Sequence, residues 1–243
     1  MFSLFRKEIT SFLSSLSGFV VIIVFLIANG LFLWVFKGNL NIMDNGYSTL
    51  EALFMLAPWI FLFLIPAITM RTFAEEKKSR TMELLLSRPI SDMQIVLAKY
   101  LAAMVLVVLS LLPTLIYFYS VSRLSSPPGN IDTGGTWGSY AGLLFLAGIY
   151  AAIGIFISSL TENQIVSFIL SLILCFMFYI GFDYISSLDV FSGISAFIVR
   201  LGINEHYLSM SRGVLDTRDM LYYLSVIIIF LLLTKIVLQS RNW

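Results

Sequence analysis

The constraint that most narrows this chain is a series of six long apolar runs, at residues 16–36, 52–70, about 95–120, 137–160, 165–185 and 220–238. A helix of about 20 apolar residues crosses a hydrocarbon core of ~30 Å. Lipid offers no partner to a backbone amide, so a crossing segment must pair its own N–H and C=O groups, as a helix does. Charge is scarce: 12% of the residues are charged and 59% are hydrophobic, where a soluble domain carries about 25% charge. So few charges cannot cover a surface facing water, and the mean hydropathy of +0.94 agrees. The expectation is an all-α membrane protein with six transmembrane helices, forming a single transmembrane domain over residues 1–243.

The first run is longer than the apolar region of a cleaved signal, which is about 7–15 residues. It continues through Leu31, Phe32, Leu33 and Trp34, and so reads as a retained span with an aromatic-belt residue at its far end. Before it, residues 1–15 place Phe2, Phe5, Ile9, Phe12 and Leu13 at helical spacing, with Arg6, Lys7 and Glu8 mostly on the other side. That is the pattern of an amphipathic helix lying in the membrane interface, the alternative being the frayed cytoplasmic end of the first span. Pro58 and Pro66 inside the second run suggest a kinked helix packed against others, the alternative being a neutral role, since proline is fairly common in such helices. Ser91 and Gln94 have capping-box spacing ahead of the third run, and Thr161 and Gln164 ahead of the fifth. Gly148 and Gly154, with Ala147, Ala151 and Ala152, give the fourth run small residues for close helix contact. Residues 186–219 break the rhythm. Within them, 190–199 is apolar but too short to cross and 205–214 is amphipathic, so an external re-entrant pair of short helices is expected. Asp216 and Asp219 suit the N-terminus of the last helix, where the dipole favours negative charge.

Six spans leave both termini on one side. That side holds Arg6, Lys7, Arg71, Lys77, Lys78, Arg80, Arg88, Lys99, Lys235 and Arg241, against Lys37, Arg123, Arg200, Arg212 and Arg218 on the other. The bias places the termini and residues 72–92 in the cytoplasm. Catalytic constellations are scarce. His206 is the single histidine, and a metal needs several ligands in geometry, so a surface or interface histidine is the ordinary reading. Asp183, near the end of the fifth run, is either a functional carboxylate or one that reaches the headgroups. Cys175 is the one cysteine, which excludes an intrachain disulfide. No basic stripe with interleaved aromatics points to nucleic acid. No Gly-x-x-x-x-Gly-Lys-Ser/Thr loop is present to cradle a nucleotide. The expectation is therefore that this chain binds no cofactor, and that any ATP and its magnesium sit on a separate polypeptide.

The densest charge lies at residues 74–89, AEEKKSRTMELLLSRP. Glu76 and Arg80 stand i, i+4 in the favourable order for a helical pair, and Met82, Leu85 and Leu86 share one face. A short amphipathic helix along the membrane face is expected, with its acidic groups exposed. Spacing alone leaves two roles open: a solvated loop, or a contact for a soluble partner.

Residues 76–91, E-K-K-S-R-T-M-E-L-L-L-S-R-P-I-S, resemble the E-x-x-x-x-T-[LM]-E-x-L-L-x-x-P-[VIL]-[ST] signature of type-2 ABC transporter permeases, where it lies between the second and third spans. The likeness extends to the N-terminal interfacial helix, the six spans, the tight turn at S-S-L-T-E-N-Q and the short helices before the last span. Residues 211–225, S-R-G-V-L-D-T-R-D-M-L-Y-Y-L-S, look like the branch with gliding-motility and copper-related export permeases, nearest the gliding-motility type of Bacteroidetes. The resemblance implies a coupling helix that docks on a separate ABC-type ATPase. Glu75, Glu76, Arg80, Thr81, Glu83, Leu85, Leu86, Arg88 and Pro89 would form that interface. It also implies a bacterial inner-membrane location and a second permease subunit, either a copy or a related membrane protein, one with a large external domain included. Two other classes stay open: a non-transporting anchor of a motility or secretion machine, and a stand-alone secondary transporter. Against the latter stand the lack of deep charged residues and of an obvious inverted repeat. A reporter active only outside the cytoplasm, fused at Thr81, is expected to be silent; strong activity overturns the topology.

Overall fold

A computed structural model of the chain describes residues 1–82, 90–188, 193–213 and 216–240. Among these residues the regular structure is helical, with no strand. Helix α1 (Phe2–Ser14) precedes α2 (Leu16–Gly30), which continues as a π-helical turn over Leu31–Val35. After the short α3 (Ile42–Asn45) come α4 (Glu51–Thr69) and α5 (Ala74–Lys78). Helix α6 (Asp92–Leu111) passes through a 3-10 turn at Leu112–Thr114 into α7 (Leu115–Leu124). Then follow α8 (Thr133–Leu160) and α9 (Gln164–Phe176), the latter extended by a π-helical stretch at Met177–Gly181 and α10 (Phe182–Ser186). The short helices α11 (Ser195–Val199) and α12 (Ile203–Ser211) lead to α13 (Thr217–Gln239). Six of the continuous helical stretches are long and apolar enough to cross a membrane, as the six runs predict.

Helix α8 is the axis of the bundle, in contact with α4, α6, α9, α12 and α13. Its glycines make that possible, because small residues let backbones approach. A Cβ at Gly154 would lie 2.0 Å from Thr69 Oγ1 on α4, and one at Gly148 would lie 2.9 Å from the Tyr100 hydroxyl on α6. By contrast, α2, α9 and α13 turn rows of apolar side chains outward, among them Ile23, Ile27, Ile165, Ile169, Ile228 and Ile236. Pro58 and Pro66 both lie inside α4.

The helix ends follow local chemistry. Ser91 and Gln94 form the reciprocal capping box ahead of α6, and the Asp216 side chain caps α13. The Thr161/Gln164 box does not form. Thr161 is still the C-cap of α8, and Gln164 is already the first residue of α9, too early to serve as the third. Asn163 caps α9 instead, accepting from the Ile165 amide at 2.9 Å. The expected short pair before the last span is present as α11 and α12. Replacing Gly154 with Ala is expected to lower the thermal stability of the detergent-solubilised protein by about 1–3 kcal/mol, the usual cost of overpacking. Gly193→Ala, where a Cβ meets nothing within 4 Å, should leave the melting curve in place.

Candidate functional site

At the end of α4 the chain turns sharply and starts α5, and that turn is held by one hydroxyl. Ser158 Oγ on α8 accepts from the amides of Phe73 (3.0 Å) and Ala74 (3.1 Å) and donates to the Met70 carbonyl at 2.9 Å. The first amides of a helix have no partner within it, so a buried serine on a neighbouring span supplies one. Lys77 Nζ donates to the Ser159 carbonyl. Helix α5 is thereby fastened across the end of α8.

The second fastening is ionic. Lys99 on α6 is 1% exposed. Its ammonium lies 3.1 Å from Glu8 Oε1 on α1 and 3.0 Å from Glu76 Oε1 on α5. It also donates to the Thr72 carbonyl at 2.7 Å. A lysine ammonium has three donors, and these three acceptors match them. The Phe73 ring stands 4.9 Å from the same nitrogen, close enough for a cation–π contribution. Lys7 approaches Glu76 at 3.7 Å from the exposed side. Nearby, Arg71 donates to Ser15 Oγ at 2.9 Å and lies over the Phe12 ring. Three parts of the chain far apart in sequence thus meet at one cation. A cleft of about 230 Å³ borders the junction, between α1 and the α5 segment.

Several expectations change here. Glu8 is not on a solvated face: with Leu4 and Phe12 it forms the buried row of α1. Glu76 is not exposed and does not pair with Arg80. Arg80 has φ +57, the left-handed region, and the helix ends before it at Lys78. With Arg80 turned away, Glu76 takes Lys99 and Lys7. Glu75 and Arg80 are exposed as expected, and Thr81 is exposed beside them, its hydroxyl donating to the Glu76 carbonyl at 3.4 Å. Met82 is buried. Glu83, Leu85, Leu86, Arg88 and Pro89 lie outside the described residues. Sequence reading missed Glu8 and Lys99 as members of the junction. Lys99 could have signalled it, since an ionisable group within a span needs a partner.

The two isolated polar residues have structural partners. Asp183 Oδ2 accepts from Asn204 Nδ2 at 2.8 Å. His206 lies 2.7 Å from Asp219 Oδ1 and 2.9 Å from the Arg200 carbonyl, and stacks on Tyr222 with ring centroids 3.9 Å apart. Both contacts fasten α12 to neighbouring helices. Among the described residues no group of acidic, histidine and cysteine side chains could hold a metal ion.

Comparison with protein families matches residues 3–196 to the model described as ABC-2 family transporter protein. A search of the curated proteins finds no match.

Lys99→Met leaves two carboxylates facing each other without their cation. It is expected to destabilise the protein by about 3–5 kcal/mol, as breaking a buried pair from one side does. Adding Glu8→Gln and Glu76→Gln to it should recover more than half of the loss in the same melting assay. If Lys99→Met melts like the parent, the junction does not hold the fold.

Proposed function

Because the chain belongs to the ABC-2 transporter family and is thereby the membrane subunit of an ABC transporter, we propose that the junction around Lys99 is where a separate ATPase drives the helices. The observation that supports this most directly is the dual fastening of α5. Lys99 ties it to α6 and α1, and Ser158 with Ser159 ties it to α8. A push on residues 74–89 would then move three helices together rather than deform a loop. Glu75, Lys78, Arg80 and Thr81 are exposed on this segment and offer both signs of charge to a soluble partner. Together with Glu83, Leu85, Leu86, Arg88 and Pro89 they are the proposed docking set, Glu76 serving from within.

In this reading the chain is no enzyme. ATP and its magnesium are held by the partner, and closure of an ATPase dimer re-orients the spans for export or for mechanical work. The excess of Lys and Arg at the junction end supports an inner-membrane protein with both termini cytoplasmic. The outward apolar faces of α2 and α9 support pairing with a second permease subunit, a copy or a related membrane protein. The run at residues 211–225 supports gliding motility as the process served.

The test uses residues outside the buried network. Glu75→Lys combined with Arg80→Glu, in the full chain co-expressed with an ATP-binding cassette ATPase that co-purifies with the parent, is expected to reduce co-purification of that ATPase about ten-fold, the effect of reversing a small set of interfacial charges. The melting temperature should not change. Undiminished co-purification sinks the coupling role.

A further inference from the structure

The other end of α4, about 28 Å from the junction at 1.5 Å per residue, borders a cleft of two adjacent compartments that share part of their lining. One, of about 230 Å³, sets Ser48, Thr49, Asp132, Thr136 and Ser139 beside Leu50, Phe54 and Ile131. The second, of about 370 Å³, has walls of Met55, Trp59, Tyr179, Ile180, Tyr207 and Leu208. Glu51, Phe54, Ser211 and Arg212 border both.

The walls are held in place by polar contacts. The Tyr207 hydroxyl donates to the Phe54 carbonyl at 2.6 Å, joining α12 to α4. Burial pushes the Tyr207 phenol well above its usual range, so that donor persists. Ser139 on α8 donates to the Ser211 carbonyl at 2.7 Å. Trp59 meets Tyr179 edge-on at 5.9 Å yet remains 44% exposed, so the apolar compartment opens sideways at the bundle surface. Glu51 and Arg212 are both exposed, and neither takes part in an ion pair among the described residues.

An aromatic compartment beside one with several hydroxyls, with an acid and a base bordering both, suits an amphiphile. We propose that this cleft binds a zwitterionic lipid drawn from the surrounding bilayer. The lipid phosphate would sit on Arg212, its ammonium toward Glu51, and its chain along the Trp59 wall. Guanidinium suits phosphate through paired, directed donors, and ammonium pairs with carboxylate. A volume of a few hundred Å³ with apolar walls and few polar groups is that of a small-molecule site. The proposal stands apart from the ATPase reading, because binding needs this chain alone.

The full chain purified in dodecyl maltoside is titrated with lysophosphatidylethanolamine and followed by native mass spectrometry. Fluorescence of a variant keeping Trp59 as its sole tryptophan gives a second readout. One saturable adduct per chain is expected. Glu51→Gln with Arg212→Ala, and separately Trp59→Ala, should each weaken it about ten-fold or more, while Ile229→Ala on the outward face of α13 should not. Lysophosphatidylglycerol, which lacks the ammonium, should bind about ten-fold more weakly. Equal affinity for the two lipids, or the same affinity in the rim and Trp59 variants as in the parent, overturns the site. Because the rim residues are exposed, their variants are expected to melt with the parent.

Discussion

An ammonium group enclosed among apolar helices has few stable arrangements. Bringing it out of water costs several kcal/mol, and only well-placed acceptors offset that cost. Lys99 has them: two carboxylates and a carbonyl, one for each of its donors. Glu8 belongs to α1, Glu76 to α5, and Thr72 to the turn between α4 and α5. One cation therefore sets the position of two peripheral segments against α6. Buried ion clusters often contribute no more to net stability than well-packed hydrophobic groups of the same volume. What this one supplies is definition: a shift of either segment separates charges in a poorly screened site. Its members are interdependent, since removal of Lys99 takes from both carboxylates the cation they share.

That arrangement depends in turn on how closely α4 and α8 approach. Gly154 leaves room for the Thr69 side chain at the end of α4. One turn further along α8, Ser158 reaches the amides of Phe73 and Ala74. A bulkier residue at 154 would separate the two helices, leave those amides without their acceptor, and displace Glu76 from Lys99. Small residues on a central span and a buried ion cluster at its end are successive parts of one construction. Packing sets the distance, and the hydroxyl and the ion cluster then fix direction.

The spans were legible because an apolar run of sufficient length has one stable solution in lipid, whatever its neighbours do. The caps at Ser91 and Asp216 were legible because their partners lie within three residues. The Thr161 box failed because its turn is too short to end one helix and begin another with the full motif. The junction itself was not legible. Glu8 and Lys99 are 91 residues apart, and no local spacing rule connects them. Local spacing even misled at Glu76 and Arg80. An exposed i, i+4 pair is worth about 0.3–0.5 kcal/mol, too little to compete with a buried cation that needs a second carboxylate. His206 gave no sequence signal for the same reason: its carboxylate partner, Asp219, lies on the next helix.

The two ends of α4 use charge differently. At the Thr69 end, Glu8, Glu76 and Lys99 are consumed internally, so the charges left for a partner are those that project, Glu75, Lys78 and Arg80. At the Glu51 end, Asp183 and the His206–Asp219 pair are spent on fastening α12, while Glu51 and Arg212 remain outside any ion pair among the described residues. Helix α4 joins the two ends and contains both Pro58 and Pro66. Proline removes an i to i−4 hydrogen bond, and bending in long helices concentrates at such positions. Pro58 has no N–H to donate to the Phe54 carbonyl four residues before it, and the Tyr207 hydroxyl of α12 supplies that carbonyl with a donor instead.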